Sequence, residues 1–138
     1  MLLKKTLLLI IFFLFITGCT APNEAVTPDE TVVTATYQRI TPGQAKEMLD
    51  TDSDIILLDV RTEQEFSEIR IPGAVLLPDT MVRGQASIML PDKNTVILIY
   101  CRSGRRSENA AIELIDVGYK NVYDFGGIID WDFETESD

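Results

Sequence analysis

The chain has 138 residues, enough for one folded domain, and its 22 acidic residues against 12 basic ones give a formal charge of −10. This acidity argues against nucleic acid as a partner, because binding to phosphates requires a positive surface. The chain has no histidine, and its two cysteines, Cys19 and Cys101, lie far apart. The composition therefore predicts no metal site and no resident cofactor.

Residues 1–18 are predicted to be a signal peptide. The basic pair Lys4-Lys5 precedes an almost wholly apolar run over residues 7–16, and the small pair Thr17-Gly18 closes the segment. The run is too short for a comfortable membrane span, which needs about 20 apolar residues. Cleavage would leave 10 basic and 22 acidic residues, so the mature chain is more acidic still.

Ile16-Thr17-Gly18-Cys19 resembles the bacterial lipobox, in which an aliphatic and two small residues precede cysteine. By that resemblance Cys19 would become an acylated first residue, and the protein would be extracytoplasmic and lipid-anchored to a bacterial membrane. The alternatives are an ordinary signal peptide or an uncleaved anchor with an incidental cysteine. Residues 19–37 are predicted to form the lipidated cysteine and a Thr/Pro/Glu-rich disordered tether, followed by one domain over residues 38–138.

Apolar runs alternate with helix signals after the tether. Thr41 before Pro42, and Thr62 three residues before Glu65, are typical of helix N-termini. This alternation predicts an α/β fold with a central parallel sheet and helices on both faces. Strands are predicted at 37–40, 54–60, 72–78, 95–100 and 121–125, and helices at 42–49, 62–66, 107–117 and around Trp131, with a mixed segment at 79–90.

The segment after the strand at 95–100 contains the strongest chemical signal. Cys101 stands at the strand end, where ligands bind in parallel sheets. Three arginines follow within five residues, and a predicted helix begins near Ser107, so backbone N–H groups and the helix dipole favour an anion here. A thiol in such surroundings ionises readily, and the thiolate is the nucleophilic form. Cys101 is therefore predicted to be a nucleophile beside an anion site; the alternative is a small buried hydrophobe.

Four landmarks together resemble the single-domain rhodanese (thiosulfate sulfurtransferase) family over residues 40–131. They are residues 58–61 with 65–66, residues 71–78, the loop 100–107, and the run 118–127 leading to Trp131. The resemblance implies a rhodanese-like fold and a sulfurtransferase. Cys101 would take a sulfane sulfur from a donor such as thiosulfate, hold it as a persulfide, and pass it to cyanide or a thiol.

The resemblance also implies roles for the neighbours of Cys101. The backbone N–H groups of residues 102–107 would cradle the outer sulfur, and Arg102 or Arg105 would bind the sulfonate of the donor. Asp59, Arg61 and Glu65 would give structural support, with Arg61 paired to Glu65 or to a loop carbonyl. The implied partners are a small sulfur-containing anion, a thiol or protein sulfur acceptor, and the membrane through the lipid anchor. The full substrate-binding set is Arg102, Ser103, Gly104, Arg105, Arg106 and Ser107, of which the Ser103 and Ser107 hydroxyls would donate to the sulfur.

The chain departs from the family pattern at two places, and two other classes of function are compatible with a cysteine in this loop. Arg70 stands where the family commonly has histidine, and the segment after Trp131 is short enough that the last turn is expected to fray. A Cys-dependent phosphatase or arsenate reductase would need arginine six residues after the cysteine, where this chain has Ser107. A persulfide carrier without turnover, a redox sensor or a protein-binding module would keep Cys101 intact.

Overall fold

The computed structural model describes residues 36–138. The predictions for the signal peptide, for Cys19 and for nearly all of the tether therefore lie outside the described residues. Tyr37, which was counted with the tether, packs against the core, and its hydroxyl donates to Glu108 Oε1 at 2.9 Å. Within residues 36–138, none of the helices has the length and hydropathy needed to span a membrane.

Five strands form one sheet in which every pair is parallel, as predicted. Their order across the sheet is β1-β5-β4-β2-β3, so β4 lies at the centre and β1 at one edge. The central position explains why β4 is an uninterrupted apolar run, since both of its faces are covered. The strands are β1 Gln38–Arg39, β2 Ile56–Asp59, β3 Val75–Leu76, β4 Val96–Cys101 and β5 Asn121–Gly127.

Four helices connect these strands: α1 Pro42–Thr51, α2 Glu63–Glu68, α3 Val82–Met89 and α4 Arg105–Asp116. Thr41 and Thr62 cap α1 and α2, each within a reciprocal capping box. The helix expected from about Ser107 begins two residues earlier, because Gly104 turns the chain at φ 101°. Short 3-10 turns occupy Asp79–Met81 and Ile128–Asp130, and the second replaces the helix predicted around Trp131.

The core has two layers, one on each face of the sheet. Side chains alternate along β4, so Ile97, Ile99 and Cys101 pack against α3 and α4, whereas Leu98 and Tyr100 pack on the opposite side with α1. Helices on both faces are thereby confirmed. The same alternation places the Cys101 side chain on the face covered by α4.

Two further local predictions are wrong. The strand predicted at 72–78 is only Val75–Leu76, because Pro72 and Pro78 lack the N–H that a ladder needs and Gly73 adopts φ 80°. The expected fraying after Trp131 does not occur. Arg70 and Glu136 exchange two backbone hydrogen bonds of 2.8 Å, and their side chains form an ion pair of 3.0 Å, so Arg70 holds the last residues against the domain.

Candidate active site

Cys101 is the last residue of β4, and its side chain is buried beneath a very short connection to α4. Only residues 102–104 separate the strand from the helix, so the chain reverses within one turn. The positive φ of Gly104 lets this turn close, and the Gly104 N–H donates to Cys101 Sγ at 3.1 Å. The sulfur therefore lies at the amino end of α4, among N–H groups that the helix leaves unpaired.

The pKa of the Cys101 thiol is lowered from its ordinary value. Burial raises this pKa, but hydrogen bonds from the N–H and hydroxyl of Ser107 and from the N–H groups of Gly104 and Ser103 outweigh it. The Ser107 hydroxyl has one proton and lies 2.8 Å from a carboxylate oxygen of Asp124. Because a carboxylate is the stronger acceptor, we assign the lowered pKa to the backbone N–H groups. The thiolate is thus stabilised by dipoles of the main chain.

A bulge in β5 brings its backbone against the loop. Ile99 pairs with Asp124, but Cys101 pairs with Gly127, so β5 carries one extra residue at this point. A Cβ atom on Gly127 would lie 2.2 Å from the carbonyl oxygen of Arg102. The same oxygen accepts a hydrogen bond from the Ile129 N–H at 3.2 Å. The loop therefore rests directly on main chain, at a place where no side chain fits.

Asp124 on β5 is completely buried between the first turn of α4 and the bulge. Its Oδ1 accepts from the Ser107 hydroxyl at 2.8 Å and from the Gly126 N–H at 2.9 Å. The Ser107 hydroxyl is also within hydrogen-bonding distance of the carbonyl oxygens of Gly104 and Gly126, at 3.0 and 3.2 Å. One carboxylate thereby ties the first turn of α4 to the bulge in β5.

Arg106 and Glu65 form a two-fold ion pair at the edge of the site. The two guanidinium nitrogens of Arg106 donate to the two carboxylate oxygens of Glu65 at 2.8 and 2.7 Å. This contact, helped by Thr62, lowers the pKa of Glu65 to about 2 and raises that of Arg106. Glu65 therefore supports α4 from α2, and the Arg106 guanidinium is already engaged without a substrate.

Arg61 and Asp59 form a second pair, which is buried. Arg61 donates to both oxygens of Asp59, at distances from 2.6 to 3.0 Å, and to the carbonyl of Ile69 at 2.6 Å. Of the two expected partners, Glu65 or a loop carbonyl, Arg61 contacts the carbonyl, and it also pairs with Asp59, which was not expected as its partner. The Tyr100 ring lies 5.5 Å from the guanidinium carbon. Burial and the Asp59 carboxylate raise the pKa of Tyr100, which stays neutral.

The remaining loop residues face solvent. Arg102, Ser103 and Arg105 are exposed, and among residues 36–138 neither of these two arginines has a salt bridge. Arg102 also lines a cavity of about 460 Å³ beside the loop, whose other walls are Arg61, Glu65, Glu68, Ile69, Ile128 and Ile129. Two exposed cations that can bind an anion thus lie on the loop that follows Cys101.

A family model described as rhodanese-like domain matches residues 41–134, most of the part of the chain that the structure describes. The chain belongs to the rhodanese family. The match covers all four sequence landmarks, including the Cys101 loop and Trp131. The resemblance identified from the sequence is therefore confirmed at the level of the family and its domain.

Curated relatives agree with this assignment. The chain is 33% identical over 73 residues to the thiosulfate sulfurtransferase PspE of Escherichia coli, covering 53% of this chain and 70% of PspE. It is 31% identical over 115 residues to the probable adenylyltransferase/sulfurtransferase MoeZ of Mycobacterium tuberculosis, covering 82% of this chain. The chain spans only 29% of the length of MoeZ, so this similarity concerns one domain of a larger protein.

A solved structure supports the fold. The structure described as rhodanese with anions from E. coli superimposes with a TM-score of 0.57 at 28% sequence identity, covering 61% of this chain and 99% of that one.

Two residues that shape the site of this rhodanese were not predicted from the sequence as site residues. Asp124 lies within a predicted strand, where an acidic residue between the apolar Val122 and Phe125 was a usable signal of a buried polar contact. Gly127 lies in one of the family landmarks, but the sequence assigned it no role in the site. Its role depends on the bulge in β5, which no local sequence pattern predicts.

Proposed function

We propose that this rhodanese is a membrane-tethered, extracytoplasmic enzyme that moves sulfane sulfur from a thiosulfate-like anion to a thiol or cyanide through a persulfide on Cys101. The observation that carries the proposal is the position of Cys101 Sγ at the amino end of α4, 3.1 Å from the Gly104 N–H. The pKa of this thiol is lowered although its side chain is buried, so the nucleophilic form is favoured.

The first half-reaction loads the cysteine. The Cys101 thiolate attacks the outer sulfur of thiosulfate, the S–S bond of the donor breaks, and sulfite leaves with the electron pair. The product on the enzyme is a persulfide anion, whose outer sulfur carries the charge. Arg102 and Arg105 are suited to hold the sulfonate group, since a guanidinium matches the geometry of an oxyanion and neither forms a salt bridge within the described residues.

The second half-reaction removes the outer sulfur from the Cys101 persulfide. A cyanide ion or an acceptor thiolate attacks the outer sulfur of the persulfide, the S–S bond breaks, and the electron pair returns to Cys101 Sγ as a thiolate. The N–H groups that stabilise the thiolate also make Cys101 a good leaving group. The cavity beside Arg102 gives an acceptor a route to the loop that is partly apolar, through Ile69, Ile128 and Ile129.

The phosphatase alternative finds no support at the corresponding position. Ser107 stands six residues after Cys101, and its hydroxyl is bound to the buried Asp124. The preceding residue, Arg106, is paired with Glu65. The position that such a mechanism needs as arginine therefore carries a hydroxyl, and the guanidinium next to it is already paired.

The intact mass of the chain tests the proposed function. The full chain carrying Cys19→Ser keeps Cys101 as its one cysteine. Incubation with thiosulfate should add the mass of one sulfur atom, and subsequent cyanide should remove it with release of one thiocyanate per chain. An unchanged mass after thiosulfate would refute the proposal that thiosulfate donates sulfur to Cys101. A gain of sulfur that neither cyanide nor thiols remove would refute turnover and favour a carrier.

Loss of both exposed loop arginines should weaken donor binding. In the double variant Arg102→Ala/Arg105→Ala we expect the KM for thiosulfate to rise about tenfold with a smaller change in kcat, because charge-assisted contacts to the sulfonate are lost in both ground and transition states. Steady-state kinetics at fixed cyanide measure this. Arg83→Ala, which removes an exposed arginine on α3, is the matched control and should leave KM unchanged. An unaltered KM in the double variant would show that the sulfonate binds elsewhere.

The proposed membrane anchor depends on Cys19. We expect wild-type chain expressed in a bacterium with a lipoprotein pathway to partition into the detergent phase and to carry an acylated amino-terminal cysteine. Cys19→Ser should retain the unprocessed amino terminus, because cleavage follows lipid addition. Mass spectrometry of the amino-terminal peptide distinguishes the two. An unmodified Cys19 in the membrane fraction would contradict lipidation.

A further inference from the structure

Arg39 on the edge strand β1 reaches the underside of the Cys101 loop. Its Nη2 lies 3.2 Å from Asp124 Oδ2 and 3.3 Å from Glu108 Oε2, so one guanidinium contacts both β5 and the first turn of α4. Its Nη1 lies 3.5 Å from the position that a Cβ atom on Gly104 would occupy. A fourth arginine therefore adjoins the sulfur loop, from a strand that is remote in sequence from the other three.

Asp124 needs a countercharge more than most carboxylates do. It is fully buried, and its Oδ2 accepts no hydrogen bond from any residue in 36–138, although Oδ1 accepts two. Its one salt bridge within that range is the contact with Arg39. A buried carboxylate without a nearby cation is costly, so this ion pair has a larger effect than an exposed one.

The negative charge of Asp124 also opposes the sulfur chemistry. Ser107 links the two groups, because its hydroxyl donates to Asp124 Oδ1 at 2.8 Å and its backbone N–H interacts with Cys101 Sγ. An uncompensated carboxylate there would repel the thiolate and the persulfide anion alike.

We propose that Arg39 is a positioning residue for the sulfur site: its guanidinium neutralises the buried Asp124, so that Asp124 can hold Ser107 and Gly126 under the loop without destabilising the anion on Cys101. The proposal rests on the proposed function, in which that anion is the working nucleophile. It makes the reactivity of Cys101 depend on β1, the first element of the domain and the one that follows the predicted tether.

Other charged groups face Cys101 and must be kept constant in a test. Arg106 interacts electrostatically with Cys101 and with Asp79, and it is paired with Glu65. Arg102 and Arg105 lie on the same loop. None of these groups contacts Arg39, so their effect on the thiol should be common to all variants compared.

The rate of iodoacetamide alkylation of Cys101 as a function of pH is the measurement. It is made on the full chain carrying Cys19→Ser, in detergent, without thiosulfate or an acceptor. For Arg39→Met we expect the alkylation midpoint to rise by about one pH unit, because the carboxylate is left uncompensated. For Asp124→Asn we expect the midpoint to fall, since Arg39 remains without the opposing charge. The double variant Arg39→Met/Asp124→Asn should return the midpoint most of the way to the wild-type value, since only the half-exposed carboxylate of Glu108 then lacks its partner.

The opposite signs separate a charge effect from a general loosening of the loop. A merely structural lesion would shift both single variants in the same direction and would not be rescued in the double variant. Arg83→Met, which breaks an exposed pair with Asp116, is the matched control and should leave the midpoint unchanged.

Several results would overturn the proposal. An unchanged midpoint in Arg39→Met, a rise in Asp124→Asn, or a double variant shifted as far as Arg39→Met would each do so. If Arg39→Met does not fold, Arg39→Lys and Asp124→Asn decide alone: the lysine variant should keep the wild-type midpoint and the asparagine variant should lower it. Because alkylation needs no sulfur donor, a wild-type chain that fails to gain sulfur from thiosulfate would refute the proposed function and leave this test intact.

Discussion

Cys101→Ser is expected to abolish sulfur transfer while the domain stays folded. Serine has nearly the same shape, and its hydroxyl can accept the Gly104 N–H that now reaches Sγ at 3.1 Å. Replacing this one buried group should change the free energy of unfolding by about 1 kcal/mol. A hydroxyl at this site does not ionise and forms no persulfide, so thiocyanate production should fall to the uncatalysed rate.

Thiocyanate formation from thiosulfate and cyanide measures the first outcome, and thermal unfolding followed by circular dichroism measures the second. Ser87→Ala is a suitable control, since its side chain is exposed on α3 and is not part of the Cys101 loop. Turnover retained by Cys101→Ser would show that another group carries the sulfur. Loss of the folded state would show that the thiol is needed for packing.

Gly127→Ala should have the second largest effect, although it replaces no side chain that takes part in chemistry. Its backbone angles are ordinary, with φ −123°, so an alanine is not strained in itself. The new Cβ would lie 2.2 Å from the Arg102 carbonyl oxygen and 2.6 Å from Ser103 Cα, and both are main-chain atoms that cannot turn aside. The loop must therefore move, at a cost of about 1–3 kcal/mol in the free energy of unfolding. We also expect kcat/KM to fall about a hundredfold, because the N–H groups would no longer be aimed at Cys101.

Gly84→Ala is the matched control for this substitution. Gly84 lies on the exposed side of α3, with nothing within 4 Å of the added Cβ, so alanine should stabilise the helix by about 0.5–1 kcal/mol without changing turnover. Urea unfolding and steady-state kinetics on both variants give the comparison. A Gly127→Ala protein with wild-type kcat/KM would mean that the loop does not need its support from β5.

The sequence predicted the elements whose signals are local. The apolar run ending at Cys101 gives β4, and Thr41 and Thr62 with their partners three residues on give the starts of α1 and α2. Strand ends were less predictable where breakers intervene, as at Pro72 and Pro78, because pairing in a sheet depends on a distant strand. The same limit applies to the pairing of Arg61, since several carboxylates lie within reach of it along the chain.

The sequence alone therefore determined the family and the parallel α/β order, because both follow from short local motifs and from the alternation of apolar runs with helix signals, and it predicted Cys101 as the nucleophile. Tertiary structure alone decided which groups support that nucleophile. Arg39, Asp124 and Gly127 meet the Cys101 loop only because β1, β5 and β4 are neighbours in the sheet and a bulge shifts β5 by one residue. Tertiary structure likewise engaged Arg106 with Glu65 and left Arg102 and Arg105 exposed, since a guanidinium pairs with whichever carboxylate the packing of helices brings within about 3 Å.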